Sequence, residues 1–290
     1  MGRFLATAAF LFAVTLAGQQ KLVNSGKPMQ VGSKCSEEDV QALDLDCSAE
    51  APCPLYLELN GIGSTGTRLF LAGNVHTAST TIHSILLASE DGGKTWSEPV
   101  ERIRSGGLEQ FQFLDLETGW VSGALLLASP RDPFLLVTTD GGRTWRKRNV
   151  YPESRSGSIE GFWFDSRTRG LLTLDRVRTE GEGGRYESYE SMTGGESWSV
   201  REVSRKPIAL KRAVAPAPEA AGWRLRPDAA NKSYRVETQQ GERWQTVASF
   251  LVAAGSCQPP ERVEPAPPPE EVKPAPPKAT RPGEAPRAAR

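Results

Sequence analysis

The chain has 290 residues, and 35 Lys and Arg balance 35 Asp and Glu, so its formal net charge is zero. That balance excludes a general nucleic-acid binder, which needs a basic excess to displace counterions from phosphates. Apolar residues make up only 38%, Gly (28) and Pro (22) are abundant, and no apolar run reaches the ~18 residues of a membrane-spanning helix.

The N terminus reads Met1-Gly2-Arg3, then an apolar stretch from Phe4 to Ala17, then Gly18-Gln19. A short positive start, an apolar middle and small residues at Thr15 and Ala17 predict a secretory signal peptide over 1–18. Gln19 stands where a lipoprotein signal would have Cys, so no lipid anchor is expected. The mature chain is expected to be soluble, in the periplasm or secreted. Residues 19–53 carry Cys35, Cys47 and Cys53, and the fourth cysteine is Cys257. An even count behind an export signal predicts two disulfides formed in an oxidising compartment. Three pairings are open. The favoured one closes the acidic loop Glu37-Glu38-Asp39 with Cys35–Cys47 and joins the ends of the folded region with Cys53–Cys257. A zinc site is disfavoured, because the cysteines form no close ligand pair and only His76 and His83 could add nitrogen donors.

From residue 54 onward the chain repeats. Ser89-Glu90-Asp91-Gly92-Gly93-Lys94-Thr95-Trp96 recurs as Thr138-Thr139-Asp140-Gly141-Gly142-Arg143-Thr144-Trp145. A weaker copy is Ser191-Met192-Thr193-Gly194-Gly195-Glu196-Ser197-Trp198, and an eroded one runs from Thr238 through Gly241 to Trp244. The tryptophans are spaced by 49, 53 and 46 residues. An Asp at this place accepts hydrogen bonds from backbone N–H groups a few residues on. Gly-Gly supplies positive-φ positions without steric cost, and the Trp packs back into the apolar layer. Ile85-Leu86-Leu87-Ala88 and Phe134-Leu135-Leu136-Val137 precede the first two copies. Each octet is therefore predicted to be the hairpin turn joining the last two strands of a small antiparallel sheet.

The octet S-x-D-x-G-x-T-W resembles the Asp-box, or BNR repeat, of sialidase-type and related β-propellers. Phe111-Gln112-Phe113-Leu114-Asp115 followed by Gly119-Trp120-Val121-Ser122-Gly123 sharpens the likeness toward propellers related to the photosystem II stability/assembly factor. Phe162-Trp163-Phe164-Asp165 with Gly170 echoes it in the third unit and Gly222-Trp223 in the fourth. The resemblance covers roughly residues 54–250. It implies an all-β fold, a small β-propeller with four blades of four antiparallel strands over 54–257. A fifth blade hidden in 20–53, or a dimer completing a larger ring, is the alternative. The second blade is expected as strands 108–115, 119–127, 134–139 and 144–150, and Cys53–Cys257 would pin the closed ring.

The same resemblance raises a sialidase-like glycoside hydrolase as the alternative function. The sequence lacks the Arg-Ile-Pro motif of that family, and about 200 residues are too few for its six blades. Tyr186-Glu187-Ser188-Tyr189-Glu190 supplies tyrosines beside acids, with Tyr186, Ser188 and Glu190 on one face of a strand and Glu187 and Tyr189 on the other. Asp91 and Asp140, and likewise Asp115 and Asp165, are read as turn residues. His76 and His83 lack a third donor, and 180–185 is a Gly-rich hairpin rather than a phosphate loop. No catalytic residue, metal or cofactor is therefore expected. Basic residues cluster after the second octet (Arg143, Arg146, Lys147, Arg148, Arg155) and after the third (Arg201, Arg205, Lys206, Lys211, Arg212), a candidate binding rim.

The tail, 258–290, holds 11 of the 22 prolines and no aromatic residue. Too little apolar surface is available there to offset chain ordering, so it is expected to stay extended and solvated. Its Pro/Glu/Lys pattern is similar to the spacer of TonB-like periplasmic proteins. The expected protein is an exported, non-catalytic propeller that binds or scaffolds an envelope protein complex or polysaccharide.

Overall fold

The computed structural model describes residues 21–176, 184–210 and 222–257. The expected signal peptide, the Pro-rich tail, Glu180 to Gly183 of the Gly-rich hairpin, and Lys211 and Arg212 lie outside the described residues. The chain divides into a unit Met1–Pro260 and a unit Glu261–Arg290, and every described residue belongs to the first.

Strand β1 (Leu22–Val23) and a short helix α1 (Glu37–Ala42) precede β2 (Cys53–Thr65), β3 (Arg68–His76), β4 (Thr81–Ser89) and β5 (Thr95–Trp96). A second group follows as β6 (Gly106–Phe113), β7 (Gly119–Leu126), β8 (Pro130–Thr138) and β9 (Arg146–Asn149). A third is β10 (Ser158–Phe164), β11 (Gly170–Asp175), β12 (Tyr186–Ser191) and β13 (Ser199–Ser204). Strands β14 (Trp223–Asp228), β15 (Ser233–Gln240), β16 (Arg243–Leu251) and β17 (Ala253–Cys257) complete the series. The protein is all-β, built of successive up-and-down antiparallel sheets ordered β6-β7-β8-β9, β10-β11-β12-β13 and β14-β15-β16. The last strand leaves its own group and pairs with β2, making the sheet β17-β2-β3-β4, and β1 pairs with β5. Successive four-stranded up-and-down sheets are the architecture of propeller blades.

The period-2 alternation of strands decides how the sheets stack. Along β8, Phe134 and Leu136 point one way, into a cluster with Phe70, Ala72, Leu86, Leu108 and Val121 of the preceding sheets and strands. Leu135 points the other way and joins Trp120, Ile159, Phe162, Phe164, Leu172 and Tyr189. There Trp120 and Phe164 stack in parallel, with ring centroids 3.9 Å apart. A third cluster joins Leu57, Leu71, Ile85 and Trp96 to Val236, Ala248 and Phe250 of β15 and β16. The stacking order is thus β14–β16, then β2–β4, β6–β9 and β10–β13.

Among the described residues, none of the three clusters joins β10–β13 to β14–β16. The faces that would meet there carry charge. On the third sheet, Glu190, opposite Leu171, takes Arg169 (3.0 Å) and Arg201 (3.6 Å). On the last sheet Arg224 binds Glu237 (2.6 Å) and Arg235 binds Asp228 (3.6 Å).

The favoured disulfide pairing is corrected. The bonds are Cys35–Cys257 and Cys47–Cys53. Cys53 and Cys257 do face each other as register partners on β2 and β17. However, the segment before α1 runs parallel to β17 through the Ser33–Gly255 bridge, which brings Cys35 beside Cys257, two residues further along both chains. Cys47 returns to Cys53 after the turn of α1, whose start is fixed by a reciprocal box: Asp39 N–H donates to Ser36 Oγ (3.1 Å) and Ser36 N–H to Asp39 Oδ2 (2.9 Å). The N-terminal segment therefore straps the junction between the last and first sheets. Asn24 Nδ2 donates to Gly93 O on one side and to Val247 O on the other.

Candidate functional site

The octets occupy matching corners of the first three sheets and share one hydrogen-bond scheme. In the first, Ser89 Oγ accepts from Gly93 N–H (2.8 Å), and Asp91 Oδ1 accepts from Thr95 N–H (2.8 Å) and Lys94 N–H (3.1 Å). Thr95 Oγ1 donates to Asp91 Oδ2 (2.7 Å) and Trp96 Nε1 to Gly93 O (3.1 Å). The second repeats this atom for atom: Gly142 N–H to Thr138 Oγ1 (2.8 Å), Thr144 N–H to Asp140 Oδ1 (2.9 Å), Thr144 Oγ1 to Asp140 Oδ2 (2.6 Å), and Trp145 Nε1 to Gly142 O (3.1 Å). In the third, the Thr193 hydroxyl replaces the carboxylate and accepts from Ser197 N–H (2.9 Å), Gly195 N–H binds Ser191 Oγ (2.9 Å), and Trp198 Nε1 reaches Gly195 O (3.2 Å). Gly142 is held at φ +83°, and a Cβ there would lie 2.3 Å from the Phe70 ring, so only glycine fits this approach.

The fourth copy is different. Gly241 (φ +62°) and Glu242 form a two-residue turn between the paired ends Gln240 and Arg243, and no carboxylate organises it. Trp244 stays half-buried beneath the Arg224 guanidinium, 4.1 Å from its ring centre, instead of entering a core cluster.

Burial alone would raise the Asp91 and Asp140 carboxyls, but the donated hydrogen bonds outweigh it and hold both pKa values at about 2. A folded-state value below the unfolded one adds stability that is complete above about pH 4 and is lost as pH falls through about 2. Replacing both residues with Asn is expected to flatten the acid limb of the stability profile over that window. Discounted for exposure, each carboxylate should contribute about 1 kcal/mol at neutral pH. Urea midpoints measured from pH 2 to 7 check this, and an unchanged acid limb in the double variant would show that the two carboxylates do not hold their turns.

Of the Tyr/Glu residues raised by the glycosidase alternative, Glu187 and Tyr189 are placed inside, not at a surface. Glu187 and Tyr189 face the second sheet, as alternation requires, and meet Tyr151. Tyr189 donates to Glu187 Oε2 (2.5 Å), Tyr151 Oη lies 3.0 Å from the same oxygen and 2.9 Å from Tyr189 Oη, and Arg176 Nη1 donates to Glu187 Oε1 (2.8 Å). Burial, with the Glu187 hydrogen bond, lifts the Tyr189 hydroxyl to about 12, and burial pushes Tyr151 higher still. An activated nucleophile needs the opposite shift. Tyr186 and Glu190 lie on the outer face, where Glu190 is engaged by Arg169 and Arg201. His83 packs against Asp39 (3.4 Å), which also takes Arg104 Nε (2.9 Å), and burial lowers its pKa. His76 Nδ1 lies 2.5 Å from Thr77 O. No three His, Cys, Asp or Glu among the described residues are grouped to hold a metal.

The basic residues do not share one rim. In the β8–β9 register Arg146 faces Val137 and Arg148 faces Leu135, toward the third sheet, whereas Lys147 faces Leu136, toward the first. The Lys147 ammonium sits 4.7 Å from the Phe134 ring centre, and burial lowers its pKa although Asp132 opposes this. Arg143 donates to Asp140 O (3.0 Å) within its own turn. Arg205 and Lys206 follow β13, exposed, and do not line the cleft that Arg146 and Arg148 open onto.

That cleft, of about 210 Å³, lies between the second and third octets and is lined by Thr118, Trp120, Thr144, Arg146, Arg148 and Arg167, among others. Trp120 Nε1 donates across it to Gly194 O (3.0 Å). Arg167 is tied to Asp115 and Glu117 (both 2.9 Å) and Arg148 to Glu196 (2.8 Å). Arg146 is exposed and has no charged or hydrogen-bonding partner among the described residues. Thr118, 2% exposed, keeps a hydroxyl without a partner. At the equivalent place between the first and second octets, Arg68 fills the space and donates to Gly141 O (2.8 Å). Sequence reasoning missed Thr118 and Arg167, which sit in short inter-strand loops with no motif to mark them.

The fold and these corners define a propeller-type all-β protein with repeated Gly-Gly/Trp turns, in which no helix among the described residues is long and apolar enough to cross a membrane. No protein-family model matches the chain, and no curated protein matches it. Solved structures with some similarity include the GH74 xyloglucanase from Xanthomonas campestris, 20% identical, covering 48% of this chain and 19% of that one, TM-score 0.35. YCF48 from Cyanidioschyzon merolae is 18% identical over 67% of this chain and 57% of its own, TM-score 0.34. The phage phi92 endosialidase is 10% identical over 73% and 44%, TM-score 0.35. The chain spans less than two thirds of each of these proteins.

Proposed function

We propose that the chain is an exported, non-catalytic propeller of four blades that binds an anionic envelope partner, protein or polysaccharide, and acts as a scaffold or assembly factor. The Arg146/Arg148/Arg167 cleft is the binding site in this reading. One observation carries it: Glu187 and Tyr189 are consumed by internal hydrogen bonds and Glu190 by Arg169 and Arg201, while Arg146 at the cleft has no partner among the described residues. A guanidinium offers planar, bidentate recognition of carboxylate, sulfate or phosphate groups, which suits an acidic peptide or acidic glycan. Export is supported by the character of residues 1–18 and by the two disulfides.

The test pairs binding with turnover. Arg146→Glu with Arg148→Glu is expected to weaken capture of an acidic peptide or polyuronate by on the order of tenfold or more, with folding unchanged, since each lost charged hydrogen bond costs about 1.5–3 kcal/mol. Equal binding by wild type and variant rules out the cleft. A fluorogenic glycoside screen is expected to show no turnover. Hydrolysis abolished by Tyr186→Phe or Glu190→Gln would establish a glycoside hydrolase instead.

A further inference from the structure

Four cysteines meet at one corner of the first sheet, and their order in space differs from their pairing. β17 has a neighbour on each side. Residues 33–35 run parallel to it through the Ser33–Gly255 bridge, and β2 runs antiparallel with Cys53 directly opposite Cys257. Cys257 is bonded to Cys35 at a Cα separation of 4.8 Å, and Cys53 to Cys47 at 5.3 Å. Opposed residues in an antiparallel pair have Cα atoms about 4.5–5.5 Å apart and side chains on the same face, a spacing that a disulfide also spans. Cys257 therefore lies within bonding reach of two cysteines. The four run across neighbouring segments in the order Cys35, Cys257, Cys53, Cys47. Cys257 is fully buried, Cys35 and Cys47 nearly so, and Cys53 is partly exposed. An external thiol thus meets the Cys47–Cys53 bond first.

We propose that this corner is a thiol–disulfide relay, set off by a dithiol reductant, that unfastens the N-terminal strap while keeping β17 covalently tied to the first sheet. The dithiol attacks the Cys47–Cys53 bond and closes its own disulfide, so it is oxidised by two electrons and Cys47 and Cys53 become thiols. Cys53 then loses its proton to solvent, and its thiolate attacks Cys257 Sγ. The Cys53–Cys257 bond forms, the Cys35–Cys257 bond breaks, and Cys35 leaves as a thiolate that takes up a proton. This second step consumes no electrons. Its product keeps the junction of the last and first sheets bonded through β17 and β2. The strap is then held by noncovalent contacts: the β1–β5 pair, the Met29–Phe250 and Ser33–Gly255 bridges, the two Asn24 hydrogen bonds, and the Asp39–Arg104 pair of α1.

The folded wild-type protein, treated with graded dithiothreitol short of full reduction and trapped with N-ethylmaleimide, is mapped by peptide mass spectrometry. The expected main intermediate carries Cys53–Cys257, with Cys35 and Cys47 alkylated. An intermediate that keeps Cys35–Cys257 with Cys47 and Cys53 alkylated, or loss of both bonds together, overturns the relay. Cys47→Ser tests the exchange without reductant. Isolation with Cys53–Cys257 and an alkylatable Cys35 supports it, and Cys35–Cys257 with an alkylatable Cys53 overturns it. If that variant does not fold, the wild-type titration decides alone. Limited trypsin digestion reads the strap: cleavage after Lys27 and Lys34 should appear with the exchanged species, and cleavage no faster than in the oxidised protein would show that the strap stays fastened.

Discussion

Replacing Trp96 with alanine is expected to destabilise the fold by about 3–5 kcal/mol, whereas Trp244→Ala should cost less than about 1 kcal/mol. The two residues hold corresponding places in the sequence repeat but not in the structure. Trp96 is fully buried, meets Phe250 edge-on with ring centres 5.3 Å apart, and donates its indole N–H to Gly93 O. Its removal leaves a cavity at the junction of the first and last sheets and takes from Gly93 O one of its two donors, the other being Asn24 Nδ2. Trp244 is half-buried, with one face against Arg224. Urea unfolding of the two variants gives the comparison. Equal losses would mean that the fourth copy staples its sheet as the first does, contrary to the geometry.

Glu187→Ala is expected to cost about 3 kcal/mol, because it strips the buried Tyr151 and Tyr189 hydroxyls and the half-buried Arg176 guanidinium of their shared carboxylate acceptor. Glu187→Gln, which keeps an oxygen at the same place, should cost less. The measurement separates structure from catalysis. A carboxylate held for chemistry is often a burden on stability, so removing it would leave the melting temperature unchanged or raise it. A large loss of stability in Glu187→Ala identifies the Tyr151–Tyr189–Glu187–Arg176 group as a polar joint between the second and third sheets. An unchanged melting temperature would reopen the glycosidase alternative.

Much of this was legible in one dimension. The second sheet was expected as strands 108–115, 119–127, 134–139 and 144–150, and three of the four strands overlap β6, β7 and β8 closely, while β9 is the shorter Arg146–Asn149. The turns were legible because a Ser/Thr, an Asp, two glycines and a Trp satisfy one another within eight residues. The alternation that buries Glu187 and Tyr189 was read correctly as well, since it needs only the strand period. What could not be read were contacts between distant segments. Nothing local distinguishes Cys35 from Cys53 as the partner of Cys257. The choice follows from the strap's parallel run beside β17. The basic cluster looked like one rim, but alternate residues of β9 face different sheets, so Arg146 and Arg148 open onto a cleft while Lys147 covers Phe134.

The sequence by itself determined the all-β class, the period of the sheets and the chemistry of their corners, because hydrogen bonds spanning a few residues and a two-residue side-chain period are local properties. Only the tertiary structure decided which sheets share a core, which cysteines bond, where the strap lies and that Arg146 opens onto the cleft. Those outcomes depend on packing between segments up to 222 residues apart, and close-packed interiors accept few such arrangements.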